Sequence, residues 1–133
     1  MFKWDEKYSV EIQSIDSQHK EIFRLMGNLL EAMKQGQVSI VIDEVFLELE
    51  KYAMSHFQKE EYFFKRFNYS GTEAHIAEHR FFSQKVALLK SDLSAGKVAA
   101  SFELLNFLKD WIEHHILVVD KQYSKCFRQN GLK

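Results

Sequence analysis

The amino-acid sequence predicts an all-α protein, an antiparallel up-down-up-down four-helix bundle with an N-terminal arm and a short C-terminal helix. Four stretches of roughly 20 residues carry apolar side chains at alternating spacings of about three and four, the periodicity of an amphipathic helix. Short connections between these stretches favour antiparallel neighbours, and a repeat near 3.5 residues favours crossing angles of about 20°. Because 133 residues suit one hydrophobic core, we expect a single domain over residues 1–133.

The first 15 residues are predicted to form an irregular arm packed on the surface. Their apolar side chains nearly alternate with polar ones, as in an extended segment, and are Trp4, Tyr8, Val10, Ile12 and Ile15. The first helix is expected to start at a cap formed by Asp16 and Ser17 and to end before Gly36. Its inward positions are His19, Phe23, Met26, Leu30 and Met33.

The second predicted helix starts at Ser39, the third runs from near Thr72 to near Gly96, and the fourth starts near Val98. The inward positions of the second helix are Ile42, Phe46, Leu49, Ala53, His56, Glu60, Phe63 and Phe67. Those of the third are His75, His79, Phe82, Val86, Leu89 and Leu93. Those of the fourth are Phe102, Leu105, Leu108, Ile112, His115 and Val119, and the short terminal helix is indicated by Tyr123, Cys126 and Phe127.

Five of the six histidines fall on these inward stripes together with Glu60, and a second carboxylate, Asp120, directly follows the last stripe. A single histidine on an apolar stripe is most often a core residue that is hydrogen-bonded to a neighbour. Burying five imidazoles and two carboxylates together is too costly without a compensating cation. Seven ligands exceed the six of one octahedral ion, so we expect two metal ions that share the two carboxylates. The predicted ligands are His19, His56, Glu60, His75, His79, His115 and Asp120.

The spacing of these residues sets conditions on the helices that carry them. Two pairs, His56 with Glu60 and His75 with His79, are four residues apart and therefore lie on one helical face. His115 and Asp120 are five residues apart, which on a regular α-helix would separate their side chains by about 140°. The sequence therefore predicts a π-type turn or a break before Asp120. His114 and His115 are adjacent, so their side chains point about 100° apart and cannot both face the site. The stripe through Leu108 and Ile112 selects His115 and leaves His114 at the surface or behind the ligands.

Four strings in this chain resemble the signature of the hemerythrin family: IDSQHKEIF, HFQKEE, HIAEH and HILVVD. The arm beginning FKWDEKYSV resembles that of single-domain bacterial hemerythrins. The resemblance implies a non-haem di-iron site that binds O2 reversibly. It also implies that one iron is held by His75, His79 and His115. The other would be held by His19 and His56 and have an open position for O2, with Glu60, Asp120 and a solvent-derived oxygen bridging the pair.

The resemblance further implies that Trp111 and Ile112 wall the O2 pocket. They precede His115 by four and three residues and so lie one turn away on nearly the same face. Phe23 and Phe63 are near the ligands by spacing and could also line a dry pocket. Plain core packing is the alternative for all four residues.

Composition and charge exclude several other functions. The formal net charge is -1 and the basic residues are scattered, which does not favour binding to nucleic acid or to an anionic membrane. The N-terminal residues lack an apolar signal region, and no aliphatic run approaches the length of a membrane span. One cysteine, Cys126, cannot form an intrachain disulfide and suits a reducing compartment. We expect a cytoplasmic monomer.

Three classes of function are consistent with a buried metal pair. An O2 carrier, store or delivery protein fits best, because the stripes supply only ligands and apolar neighbours and no proton donor. Its partners would be O2 and, as a candidate recipient, an O2-consuming enzyme. A di-iron enzyme, such as an oxidase or a nitric oxide or peroxide detoxifying protein, is the alternative, but oxidases would show four carboxylates with paired Glu-x-x-His motifs. A sensor of O2 or iron would be expected to carry a signalling domain.

Overall fold

The computed structural model describes residues 3–97 and 99–133. In order, the elements are a 3₁₀ turn (Glu6–Tyr8), α1 (Gln13–Lys34), α2 (Val38–Arg66), α3 (Thr72–Ser94), α4 (Ala100–Asp110), a π-helical segment (Trp111–Val119) and α5 (Asp120–Gln129). Within the described residues the chain forms helices and turns and no strand. The predicted all-α class is therefore confirmed.

Four helical rods form the bundle, and the fourth is built from α4, the π-helical segment and α5. Packing runs from α1 to α2, from α2 to α3, from α3 to α4 and from α4 back to α1, which closes the ring. The backbone angles stay helical at the two junctions, Asp110 and Val119. The C-terminal helix therefore continues the fourth rod directly. Short connections make successive rods antiparallel, in agreement with the predicted topology.

Helix boundaries differ from the expected ones mainly at the start of α1. This helix begins at Gln13, three residues before the expected cap at Asp16. The Asp16 carboxylate instead accepts hydrogen bonds from the Val10 backbone N–H (2.9 Å) and the Ser9 hydroxyl (2.5 Å). The predicted cap is therefore wrong, because this side chain fastens the arm and does not begin the helix.

The other boundaries lie close to their predicted positions. Helix α2 begins at Val38, one residue before Ser39, and α3 begins at Thr72. Gly36 and Gly96 follow α1 and α3 with φ of 66° and 83°, a left-handed conformation that glycine adopts without strain. The predicted start at Val98 lies outside the described residues, and α4 begins at Ala100.

The N-terminal arm is more deeply buried than a surface segment would be. Val10 and Ile12 of the arm, with Ile15 in the first turn of α1, are fully enclosed in an apolar cluster with Phe64 of α2 and Tyr123 and Phe127 of α5. The Ser124 hydroxyl donates a hydrogen bond of 2.6 Å to the Val10 carbonyl and so ties the arm to α5. The arm therefore closes one end of the bundle.

The inward face at the start of the fourth rod differs from the predicted stripe. Leu104 and Leu108 are fully buried, whereas Phe102 is 61% exposed. The small residues Ala100 and Ser101 take the inward positions next to them. The prediction that Phe102 faces the core is wrong. It rested on the hydrophobicity of the phenylalanine ring, but the inward positions at the start of α4 have room only for small side chains.

Paired substitutions in α4 test this register. Leu104→Ala should lower the free energy of unfolding by about 2–5 kcal/mol because it leaves a cavity in the core. Phe102→Ala should change it by about 0.5 kcal/mol or less, since the ring is mostly in solvent. Denaturant unfolding of both variants beside the parent protein measures the difference. Equal losses would contradict the observed face.

Candidate metal centre

The seven predicted ligands are all buried, with exposures of 0% to 3%, and they meet at one level of the bundle. One histidine comes from α1, a histidine and a glutamate from α2, two histidines from α3, one histidine from the π-helical segment, and an aspartate opens α5. Their side chains form two groups of four, within each of which one ligand atom per residue lies within 4.8 Å of the others. The groups are Glu60 with His75, His79 and His115, and Glu60 with His19, His56 and Asp120.

Asp120 lies between the two sets of histidines. Its Oδ1 is 2.8 Å from His75 Nε2 and 2.9 Å from His115 Nε2, whereas its Oδ2 is 2.9 Å from His19 Nε2. Neighbouring ligands of an octahedral ion with bonds of about 2.1 Å lie about 3 Å apart. The two oxygens of this carboxylate are therefore spaced to serve one ion each.

Glu60 has a similar intermediate position. Its Oε1 is 3.0 Å from His79 Nε2 and 3.4 Å from His56 Nε2, and these two histidines belong to different groups. Both carboxylates thus contact both histidine sets. This arrangement fits two neighbouring cations better than one.

Unpaired polar atoms provide an independent test of whether a metal fits here. Among the described residues, the Nε2 atoms of all five histidines and all four oxygens of Glu60 and Asp120 are buried and form no hydrogen bond, although several of them lie only 2.8–2.9 Å apart. Buried polar groups are ordinarily hydrogen-bonded, because leaving one unpaired costs about 1–3 kcal/mol. Coordination to cations would satisfy these atoms together, so the donor set fits a metal pair.

The electrostatics of the seven side chains point to the same conclusion. Burial, together with the charge of Asp120, raises the pKa of Glu60 to about 8. Burial would also raise the pKa of Asp120, but the nearby charges of His115 and His19 hold it well below its usual range. Burial lowers the pKa of His79 to about 4. The charge of Asp120 therefore disfavours ionisation of Glu60, and a bound cation would remove that penalty.

The fourth rod deviates from α-helical geometry where the spacing of His115 and Asp120 requires it. Residues Trp111–Val119 are π-helical, and the Asp120 backbone N–H donates to the His115 carbonyl, five residues earlier. This hydrogen-bonding pattern brings positions i and i+5 onto one face. The predicted irregularity before Asp120 is confirmed.

Three of the histidines are held from their outer side by polar residues that the sequence analysis missed. The Nδ1 atoms of His56, His79 and His115 pair with Gln18 Oε1 (2.6 Å), Glu61 Oε2 (2.9 Å) and Glu78 Oε1 (2.8 Å). Each acceptor fixes the proton on Nδ1 and leaves Nε2 as the ligand atom. Each of these residues is adjacent in sequence to a predicted ligand, but no periodicity distinguishes it from a solvated neighbour.

Aromatic rings stack on the same three imidazoles. Trp111 lies on His115 with ring centroids 3.8 Å apart and planes 11° apart, and Phe57 lies on His79 at 3.9 Å and 7°. Tyr52 stacks on His56 at 4.9 Å and 21°. The sequence did not single out Phe57 or Tyr52 as contacts of the imidazoles. Phe57 directly follows His56, and Tyr52 precedes it by four residues.

The four predicted pocket residues fall on two sides of the centre. Phe23, Trp111 and Ile112 belong to the larger apolar cluster, which covers the centre from the side of α4. Phe63 packs on the smaller cluster at the other end, with ring contacts to Phe67 and Phe127. The structure therefore separates Phe63 from the other three.

Phe64 takes the position expected for Phe63. Its ring lies 4.7 Å from the His75 ring. On a helix, a residue four positions after Glu60 is offset by about 40°, whereas one three positions after it is offset by about 60° in the other direction. Phe64 is thus the phenylalanine beside the candidate ligands.

Two tyrosine hydroxyls correct the expectation that only ligands and apolar groups surround the centre. The buried Tyr52 hydroxyl accepts a hydrogen bond of 3.4 Å from Trp111 Nε1, and the Tyr123 hydroxyl is buried without a partner among the described residues. Burial and the charges of Glu60 and Asp120 raise the pKa of both phenols well above the usual value. Both O–H groups therefore stay protonated beside the ligands.

The remaining histidine lies outside the centre. The His114 side chain is 71% exposed, and its Nε2 is 4.0 Å from the Glu78 carboxylate. This position agrees with the choice of His115 from the helical register.

The sequence also predicted that no segment spans a membrane. None of the helices in the described part of the chain is long and apolar enough to cross one.

Comparison with known proteins places this arrangement in a family. The family model described as the hemerythrin HHE cation binding domain matches residues 10–126. The chain is 33% identical over 127 residues to a bacteriohemerythrin of Pseudomonas paraeruginosa, covering 96% of this chain and 82% of that protein. It is 30% identical over 129 residues to a bacteriohemerythrin of Clostridium acetobutylicum, covering 92% and 98% of the two chains.

More distant relatives and solved structures agree. A myohemerythrin of Riftia pachyptila is 27% identical over 123 residues, covering 92% of this chain and 91% of that protein. A crystal structure of wild-type hemerythrin superimposes with a TM-score of 0.80 at 28% identity, covering 95% of this chain and 97% of that one. The chain belongs to the hemerythrin family, and the resemblance found in its motifs is confirmed.

Substitution of the adjacent histidines tests which one binds metal. His115→Ala should lose bound metal and thermal stability, because it removes a buried ligand. His114→Ala should retain both, since that ring is exposed. Metal content by elemental analysis and the midpoint of thermal unfolding measure the two effects. Equal losses, or losses in the reverse order, would show that the assigned register is wrong.

Proposed function

We propose that this protein binds O2 reversibly at a non-haem di-iron centre. The proposed ligands are His75, His79 and His115 for one iron, His19 and His56 for the other, and Glu60 and Asp120 for both. The observation that carries the proposal is the position of Asp120, whose two oxygens face different histidine sets at 2.8–2.9 Å. That carboxylate cannot serve a single ion in this way.

The ligand count supports an unequal pair. One iron would have three histidines and the other two, while both share the two carboxylates. The iron held by His19 and His56 is therefore one protein ligand short, and we propose that O2 enters there. When bound, the two irons would supply the electrons that O2 takes up on binding and would take them back when O2 leaves.

Iron is the proposed metal for two reasons. A mixed set of imidazoles and carboxylates suits iron among the transition metals, and the shared carboxylates suit octahedral ions better than the tetrahedral coordination that zinc favours. Similarity to bacteriohemerythrins and to a myohemerythrin supports the same choice. We extend it to this chain as part of the proposal.

The surrounding residues would keep water from the centre. Ile112 and Ile116 are fully buried, and Trp111 and Phe57 cover the imidazoles on which they stack. In a dry cavity of low dielectric constant, protons reach the reacting atoms slowly. The apolar cover therefore favours release of O2 over proton-assisted loss of a reduced oxygen species.

A di-iron enzyme is the second candidate, and the tyrosines favour it. The hydroxyls of Tyr52 and Tyr123 are buried O–H groups near the ligands and could donate protons to a reduced oxygen species. The ligand set speaks against an oxidase, because it has two carboxylates where oxidases of this architecture have four. We therefore propose O2 carriage, storage or delivery, with an O2-consuming enzyme as the recipient, and a monomeric protein.

Metal content and the visible spectrum test the proposed function. The purified protein should contain about two irons per chain, since seven ligands suit two octahedral ions. The reduced protein should gain a visible charge-transfer band in air and lose it under argon, without net consumption of O2. One zinc per chain, or iron without such a band, would contradict O2 binding. Continuous O2 consumption would favour the enzyme.

The role of Ile112 can be tested separately. Ile112→Ala should keep two irons per chain but oxidise faster in air, because water gains access to the cavity. Autoxidation is followed from the decay of the visible band. Leu89→Ala is the control, since it removes a fully buried aliphatic side chain from the same cluster, two turns beyond Phe82 on α3. An Ile112→Ala rate no faster than that of Leu89→Ala would show that another residue excludes water.

A further inference from the structure

The two groups of histidines differ in the charge of the residues that hold them from outside. In the group that shares Glu60 with His75, the Nδ1 atoms of His79 and His115 pair with the carboxylates of Glu61 and Glu78. In the other group, His56 Nδ1 pairs with an amide oxygen, that of Gln18, at 2.6 Å. His19 Nδ1 in this group, like His75 Nδ1 in the first, is buried without a hydrogen-bond partner among the described residues.

The geometry points to Glu61 and Glu78 as positioning residues that lower the reduction potential of the iron held by His75, His79 and His115 relative to that of its neighbour. This inference rests on the proposed di-iron function. It adds that the two metal positions are unequal in electronic character as well as in ligand number. This electronic difference comes from the residues that accept hydrogen bonds from the histidine Nδ1 atoms.

The physical cause is the charge on the hydrogen-bond acceptor. A carboxylate that accepts the Nδ1 proton of an imidazole draws that proton away and raises the electron density at Nε2, so the ligand becomes more basic. A more basic ligand stabilises the more positive oxidation state of its ion. An amide oxygen has only a partial charge, so Gln18 has a weaker effect on His56.

The exposure of the two carboxylates shows why they can hold a charge at this position. Glu61 and Glu78 have side-chain exposures of 36% and 31%, so water solvates one part of each carboxylate while the other part accepts the histidine proton. Each lines a surface groove that reaches its histidine: one between α2 and α3, the other between α3 and α4. Solvent screens such charges in part, so the effect acts mainly through the hydrogen bond.

Amide variants test the inference without changing the shape of the side chains. Glu61→Gln and Glu78→Gln retain a carbonyl oxygen that can accept the Nδ1 proton but lose the charge. In the iron-loaded protein, each should raise the midpoint potential by an amount that corresponds to about a tenfold change in the reduction equilibrium, and the double variant should raise it further. The potential is measured by titration with dithionite and redox dyes while the visible spectrum is recorded.

A matched control separates this effect from a general change of charge. Glu113→Gln makes the same substitution two residues before His115, at an exposed side chain on the outer face of the same segment. Its midpoint potential should differ from that of the parent protein by only a small fraction of the shift seen for Glu78→Gln. Equal shifts in these two variants would overturn the inference, because they would show only long-range electrostatics.

The reverse substitution provides a second test that does not depend on how well the amide variants load iron. Gln18→Glu places a carboxylate on His56 Nδ1 and should lower the midpoint potential. An unchanged or raised value would overturn the inference. Failure of the proposed function would look different: the parent protein would then lack two irons or the band in air. If the parent shows both and the potentials do not move, only the inference fails.

Discussion

Eleven nitrogen and oxygen atoms of the seven converging side chains are buried without hydrogen-bond partners among the described residues, and this constraint governs the rest of the structure. A bundle core can be filled with leucine and isoleucine at no such cost, so the polar layer needs a specific compensation. Cations between the imidazoles and carboxylates would supply it. The folding of this layer and the binding of metal are thus coupled, because the ligand atoms lose water on burial and regain partners only on coordination.

The apolar parts of the bundle isolate that layer from both ends. The larger cluster lies on the side of α4, and the smaller one combines the arm with residues of α2 and α5. The arm therefore has a role in the site, since Val10 and Ile12 cover the end of the bundle below the ligands. Hydrogen bonds from the Ser9 side chain and the Val10 backbone to Asp16, and from Ser124 to the Val10 carbonyl, hold this cover in place.

Around the candidate ligands, three of the imidazoles have two kinds of contact, a stacked aromatic ring and a polar acceptor. Stacked rings such as Trp111 on His115 exclude water and fix the plane of the imidazole, while polar acceptors fix its tautomer. The π-helical segment adds a third constraint, because it directs Asp120 to the same face as His115. Nine residues of π-helix are unusual, and metal coordination by both His115 and Asp120 would give a physical reason for their persistence.

The sequence by itself determined the four-helix architecture, the seven residues that converge and the need for a distorted helix before Asp120. These follow from periodicity along a single helix, where azimuth depends only on residue number. The tertiary structure decided what depends on the relative rotation and level of different helices. Only packing between helices shows that Gln18, Glu61 and Glu78 reach imidazoles of other helices, or that Tyr52 meets Trp111. It also decided that Phe64, and not Phe63, lies beside the candidate ligands and that Phe102 is exposed. The space between helices selects which apolar side chain faces inward, and a sequence pattern does not specify that space.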